Sequence, residues 1–309
     1  MELKGRDFLR VNDWSSDELV ALLDLADRLK AERRQRTPHH LLPGRTLGMI
    51  FEKPSTRTRV SFSVGIAELG GVGLRLGTSE LQLDRGEPVR DTALVLSRYL
   101  DAIMVRTFRQ AVVDELAAYA EIPVINGLTD DFHPCQALAD VMTIRERFGT
   151  LEGVRVAYVG DGNNVCHSLM VAAAKLGASV VVAAPAGFEP AARVVDWARA
   201  AARAAGGEVS IVRDPDEAAS GADVLYTDVW TSMGQEDERE RRLRAFEGYT
   251  LDERLLRLAS DRGIVMHDLP AHVGEEITEE ALYGSRSAVW DQAENRLHAQ
   301  KALLALIVP

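Results

Sequence analysis

The chain has 309 residues, 46% of them apolar and 27% charged, a globular composition on the scale of two domains of about 150 residues each. Lys and Arg number 36 against 47 Asp and Glu, a formal charge of −11. Both nucleic acid and anionic membrane call for spread positive charge, so neither is an expected partner.

A concentrated basic pocket for a small anion remains open. No run of about 18 apolar residues occurs, so no membrane span is expected. Met1 to Val11 is charged and lacks the apolar core of a signal peptide. Cys135 and Cys166 are the only cysteines and form no Cys-x-x-Cys pair. A disulfide framework or a thiolate zinc site is therefore not expected, and a reducing cytoplasm is the expected location.

In chain order, Ser15 to Arg34 reads as a helix, with Ser15 and Glu18 forming a capping box and Leu19, Leu22, Leu23, Leu25 and Leu29 an apolar stripe. Thr46 to Phe51 reads as a strand, followed by a short loop and a helix that ends at Gly70-Gly71. The alternation continues with a strand at Asp101–Val105, a helix at Ala111–Ala120, a strand at Ile122–Ile125 and a helix at Cys135–Phe148. A break at Gly149–Gly153 opens a second series. Val154–Val159, Ser179–Ala183, Val209–Val212, Val224–Tyr226 and Ile264–His267 are short apolar runs between Ala- or Leu-rich helical stretches. Continuous apolar runs of this kind suit parallel strands covered on both faces. Ser287 to Leu306 reads as a long amphipathic helix. The expected fold is α/β, with two doubly wound parallel-sheet domains at 1–150 and 151–309. The final helix is free to return to the first domain.

In open parallel sheets, ligands bind at the carboxyl ends of strands. Ser55-Thr56-Arg57-Thr58-Arg59 falls at such an end and opens a helix. Helix-start N–H groups, three hydroxyls and two guanidinium groups together favour a phosphate. The Gly-x-x-x-x-Gly-Lys pattern of a Walker loop is absent. Arg106 follows another strand, and His133-Pro134-Cys135-Gln136 opens the helix after a third, where His and Gln suit a carbonyl oxygen. In the second half, Gly160-Asp161-Gly162-Asn163-Asn164 suggests a dinucleotide loop, but Val165 stands where a third glycine belongs. Its asparagines point instead to a small polar ligand. The stretch Asp228 to Glu236 offers an acid and a Ser-Met-Gly loop for an ammonium and a carboxylate. His267-Asp268-Leu269-Pro270 ends the last strand, and Arg296 lies in the terminal helix. On the plain reading, Arg296 is a surface charge.

These motifs together resemble the aspartate/ornithine carbamoyltransferase family, from the first helix to Arg296. Ser55–Arg59 is similar to the family's carbamoyl-phosphate loop, His133–Gln136 to its His-Pro-x-Gln element, and Arg106 to its strand-end arginine. Asp228–Gly234 resembles the loop of the ornithine branch rather than the aspartate branch, as does Gly160–Asn164. The resemblance implies carbamoyl transfer from carbamoyl phosphate to the side-chain amine of L-ornithine, without metal or organic cofactor, in trimers or multiples of trimers with shared active sites. It implies that Ser55, Thr56, Arg57, Thr58, Gln82, Arg106, His133, Gln136, Asp268, Leu269 and Arg296 bind carbamoyl phosphate, Gln82 reaching a neighbouring subunit's site. Asn164, Asp228, Ser232 and Met233 take ornithine, and Arg106, His133 and Asp268 are the catalytic set. One departure stands out. The ornithine branch usually reads His-Cys-Leu-Pro where this chain has Asp268. A carboxylate there either holds the amine as an unreactive ammonium or accepts its proton. It leaves two alternatives: a different diamine or diamino acid as substrate, or a protein that binds carbamoyl phosphate without turnover.

Overall fold

The structure is a computed structural model, and it describes residues 3–77, 86–232 and 234–309. Helix α1 (Ser16–Arg34) begins on the expected capping box: the Ser15 side chain accepts from the Glu18 N–H, and Glu18 reaches back to the Ser15 N–H. The first series then runs β1 (Thr46–Phe51), α2 (Thr56–Glu68), β2 (Val72–Gly77), α3 (Val89–Leu96), β3 (Ala102–Arg106), α4 (Gln110–Tyr119), β4 (Val124–Leu128) and α5 (Pro134–Phe148). The second runs β5 (Arg155–Val159), α6 (Asn164–Lys175), β6 (Ser179–Ala183), α7 (Ala192–Ala205), β7 (Val209–Val212), α8 (Pro215–Ala219), β8 (Val224–Thr227), α9 (Arg239–Ala245), α10 (Glu253–Leu258), β9 (Ile264–His267), α11 (Glu279–Tyr283) and α12 (Val289–Ile307). Both sheets are parallel throughout, as the apolar runs predict.

Two compact units emerge: residues up to Ala139 with Glu294–Pro309, and Asp140–Ala293. This division departs from the expected break at 149–153. Gly149 and Gly153 have positive φ and mark the turn after α5, whereas packing divides the chain inside α5 and again inside α12. The last part of α12 does return to the first unit.

In the first unit the strand order is β2-β1-β3-β4. The chain leaves β1 toward β2 and later leaves β3 in the opposite direction, so the topological switch point lies between β1 and β3. At that end Phe51 pairs with Arg106, and Arg106 with Leu128. The inner strands β1 and β3 and the edge strand β4 are buried almost along their length, while the other edge strand, β2, exposes Val72 and Leu74. In the second unit the order is β7-β6-β5-β8-β9, which puts the switch point between β5 and β8. A core of Ala157, Val159, Leu225, Trp230, Phe246 and Val265 lies beside it.

The terminal helix differs from expectation. Instead of an amphipathic surface helix, its part from Glu294 onward is buried almost all round within the first unit. Asn295, Arg296, His298, Gln300 and Lys301 are at most 2% exposed. Polar side chains inside find partners from this unit: Asn295 accepts from Lys30 at 2.6 Å, Ser61 donates to Gln300, and Lys301 donates to Glu68 at 2.7 Å. The apolar period misled because paired polar residues count as exterior in a sequence pattern. Two glycines next to β5 are structural. A Cβ at Gly162 would lie 2.2 Å from Pro190 N, and Gly160 has φ +144°. The glycines of this loop therefore permit close backbone packing, and not a dinucleotide turn.

Candidate active site

Three strand ends of the first unit carry the expected groups. After β1, the Ser55 hydroxyl caps α2 by accepting from the Thr58 N–H at 3.2 Å. The start of a helix leaves N–H groups without intrahelical acceptors and carries the positive end of its dipole. Thr56 and Arg59 are exposed, Ser55 and Arg57 half-buried, and Thr58 fully buried. Arg106 ends β3 and is buried. His133 lies where β4 leads into α5, and its carbonyl accepts from the N–H groups of Gln136 and Ala137.

Arg296 joins these elements. Only 2% exposed, its guanidinium donates to Thr58 Oγ1 at 2.7 Å, to Gln136 Oε1, and to His133 Nε2 at 3.4 Å. The reading of Arg296 as a surface charge is therefore corrected. A donor aimed at Nε2 makes the His133 ring neutral, with its proton on Nδ1. Burial holds the His133 pKa well below the usual imidazole value, and the charges of Arg296, Arg106 and Arg57 depress it further. Beside it, Cys135 donates to the Asn126 carbonyl, and burial pushes its thiol up to about 12. Lys53, which sequence reasoning passed over, is 5% exposed, ion-paired with Asp130 and 4.1 Å from the Phe108 ring centroid. Its partners lie after β3 and β4, so nothing local in the sequence signals it.

The second unit gathers the other set. Asp228, just beyond β8, is 5% exposed. Burial, and then the charge of Asp268, push its carboxyl up to about 7, while His267 and the Asn163 amide oppose the rise. Asn163 caps α6 and donates from Nδ2 to Asp228 Oδ2 at 2.8 Å. Asn164 is the first residue of α6. Ser232 lies in the following loop, where its N–H donates to Gln235 Oε1 at 3.2 Å. Tyr158 and Tyr226 stack at 5.6 Å below. Asp140 accepts from Tyr226 at 3.3 Å and from Gln292 at 2.7 Å.

His267 organises the last strand end. Its N–H donates to Gln292, Nδ1 accepts from the Leu269 N–H at 2.8 Å, and Nε2 donates to Glu276 at 3.1 Å. Leu269 has φ +65°, a left-handed conformation that costs on the order of 1 kcal/mol and that the His267 hydrogen bond helps to hold. Asp268 is thereby presented between two fixed neighbours. His272, Glu275 and Glu276 bring possible metal donors within 4.8 Å of one another, but Glu275 is ion-paired with Arg239 and Glu276 with His267. Gln82 and Met233 lie outside the described residues.

The fold and these clusters define a doubly wound α/β protein of two units, one gathering cations at its strand ends and the other a buried carboxylate with an amide donor. Comparison with known proteins makes this specific. Residues 6–146 match the carbamoyl-P binding domain, and residues 152–307 the Asp/Orn binding domain, of aspartate/ornithine carbamoyltransferase. The chain belongs to the aspartate/ornithine carbamoyltransferase family. It is 55% identical to the ornithine carbamoyltransferase of Methanoculleus marisnigri, over 98% of this chain and 97% of that one. The anabolic ornithine carbamoyltransferase of Pyrococcus furiosus is 54% identical over 100% of this chain and 98% of its own. The structure of a Pyrococcus furiosus ornithine carbamoyltransferase superposes with a TM-score of 0.97 at 54% identity, covering 100% of this chain and 98% of that one. That from Gloeobacter violaceus gives 0.89 at 50% identity, with both chains fully covered.

The charge pattern around His133 yields a test. Replacing Arg296 by Gln removes the first-named of the charges that depress the imidazole. The His133 titration midpoint, followed by NMR of its ring protons, should move up toward 6.5 while remaining below it, because burial persists. An unmoved midpoint would exclude Arg296 as a cause.

Proposed function

We propose that this chain transfers the carbamoyl group of carbamoyl phosphate to the side-chain amine of L-ornithine, giving L-citrulline and phosphate. The observation that carries the reading is the Arg296 cluster. One buried guanidinium binds Thr58, Gln136 and His133, and so fixes the starts of α2 and α5 that supply the anion and carbonyl donors. The naming of the relatives as ornithine carbamoyltransferases supports ornithine over another diamine.

In this reading the unit of residues up to Ala139 with Glu294–Pro309 forms the carbamoyl-phosphate domain, and Asp140–Ala293 the ornithine domain. Ser55, Thr56, Arg57 and Thr58 bind the phosphate at the α2 start, and Arg296 completes that side. Arg106, His133 and Gln136 hold the carbamoyl oxygen, His133 through the proton on Nδ1. The free amine attacks the carbamoyl carbon, these donors stabilise the oxyanion, and phosphate departs with the C–O bonding electrons. A neutral His133 suits this role, since it donates without adding a charge that must later be neutralised. Asp228 receives the α-ammonium of ornithine, with Asn164, Ser232 and Met233 completing the head-group site. Asp268 and Leu269 are assigned to carbamoyl-phosphate binding, Asp268 accepting the proton that the amine loses. The step is an acyl transfer whose proton and leaving group are both accounted for by these side chains, so no cofactor is assigned.

The assembly we propose is a trimer, with Gln82 entering a neighbour's site. Exposed Val72 and Leu74 on the edge strand β2, and Leu94 and Val95 on α3, support a surface that is covered by another copy. A reducing cytoplasm suits two buried free thiols.

Citrulline formation from carbamoyl phosphate against a panel of amines tests the function, and ornithine should be the preferred acceptor. In the same assay Arg57→Ala should weaken carbamoyl-phosphate affinity at least tenfold, since losing one partner of a charged, two-point contact costs about 2–4 kcal/mol. An unchanged affinity would overturn the phosphate-loop assignment. Sedimentation should give three times the mass of one chain, and a monomer would remove the shared site. Asp268→Cys separates proton acceptor from ammonium trap. As a trap, Asp268 raises the pH needed for free amine, and one pKa unit is about 1.4 kcal/mol, or tenfold in reactive amine. The Cys variant of a trap would be faster at neutral pH, with its rising limb at lower pH. As an acceptor, which is the role proposed, Asp268 gives a Cys variant that is slower at every pH.

A further inference from the structure

We propose that Asn163 is a positioning residue for this reaction: its carboxamide holds the Asp228 carboxylate in place for the substrate's α-ammonium and ties it to the first turn of α6, where Asn164 begins. The proposal rests on the ornithine reading above. Resemblance pointed to Asn164 alone, and the geometry adds its neighbour.

The orientation of the Asn163 amide is over-determined. Three donors surround its oxygen: the Val165 N–H at 3.0 Å, the Cys166 N–H at 3.1 Å and the Tyr158 hydroxyl at 3.2 Å. An amide nitrogen in that position would face two backbone N–H groups that can only donate. Oδ1 must therefore point at α6 and β5, which turns Nδ2 toward Asp228 Oδ2, at 2.8 Å. One side chain thus spans β5, the start of α6 and the end of β8. These elements meet across the switch point of the sheet, where Tyr158 pairs with Tyr226. A rotation of Asp228 away from the ligand would cost this hydrogen bond.

The same contact favours the charged form of Asp228 against burial and the charge of Asp268, which raise its carboxyl. The groups facing it are Asp268 and His267 at the end of β9, Tyr158 on β5, Tyr226 on β8 and Cys166 on α6. Asp268 opposes ionisation and His267 favours it. The tyrosines and Cys166 stay protonated, since burial raises each of them well above its usual value. Asn163 is the neutral side chain that donates to the carboxylate, and a donor to the charged form favours that form. Losing it should therefore move ionisation of Asp228 to higher pH.

Two substitutions separate positioning from general stability. Asn163→Ser keeps a good helix N-cap and removes the donor to Asp228. Asn163→Asp keeps the cap and the shape but replaces the donor with a like charge. The KM for ornithine should rise about tenfold in Asn163→Ser, the size expected for one hydrogen bond to a charged group, and further in Asn163→Asp. The kcat should stay within about threefold, and carbamoyl-phosphate affinity should not change. The acid limb of kcat/KM for ornithine should move to higher pH in both. An unchanged KM and acid limb would overturn the proposal. So would equal losses in kcat and in carbamoyl-phosphate affinity, which mark general damage. The Asp228 carboxyl titration, read by carbon-13 NMR without substrate, should also shift upward in Asn163→Ser, and no shift overturns the proposal whatever the turnover. A parent chain that makes no citrulline would instead overturn the ornithine reading. If Asn163→Ser fails to fold, the Asn163→Asp variant carries the same readouts.

Discussion

Arg296 carries a permanent charge into the interior of the first unit, and its surroundings are arranged to satisfy it. A buried charge costs several kcal/mol unless hydrogen bonds and opposite or polar partners compensate. Here the compensation comes from the starts of two helices far apart in sequence, through Thr58 on α2 and through His133 and Gln136 at α5. Truncating any one acceptor leaves the guanidinium partly unmatched. Together with burial, the same charge keeps His133 neutral, and it adds to the positive ends of the two helices. One buried cation thus serves both packing and tautomer.

The two units solve the same placement problem in the same way. In each parallel sheet, the order of strands reverses direction once, between β1 and β3 in one unit and between β5 and β8 in the other. Loops that leave adjacent strands in opposite directions open a crevice at the carboxyl ends. Ser55 to Thr58 and Arg106 flank the first switch point, and Asn163, Asn164 and Asp228 flank the second. No special backbone is needed to bring these residues near one another. Register does it, since Phe51 pairs with Arg106 and Tyr158 with Tyr226.

The strands were legible because fully buried parallel strands read as unbroken apolar runs. Thr46–Phe51, Ser179–Ala183, Val209–Val212 and Ile264–His267 appear with the expected bounds. The edge strand β2 was not delimited, because Gly73 and Arg75 interrupt its apolar run. The motif at Ser55–Arg59 was legible because its chemistry is local to one turn. Lys53, Asn163 and the Asp140–Gln292–Tyr226 contacts were not, because their partners lie between 65 and 152 residues away and no spacing rule links them. Arg296 shows the limit most clearly. A helix whose polar residues are all paired inside carries the same letters as one that faces water, and only packing tells them apart.

The two clusters are electrostatically opposite, and each is uncomfortable by itself. Around His133, burial and then converging cations hold the imidazole below its usual 6.5. The unfolded chain therefore takes up a proton first, and this group costs stability as pH falls below about 6.5. Around Asp228 the carboxyl rises from 3.8 to about 7. The native state here holds the proton longer than the unfolded chain, so this group costs stability as pH rises through that window. A bound anion would relieve the first strain and a bound ammonium the second. Each ligand then stabilises the unit that binds it, because it binds the native state alone. Carbamoyl phosphate and ornithine carry those two charges. The stability sacrificed at each cluster is thus available as affinity for a ligand of matching charge, even in a chain of net charge −11.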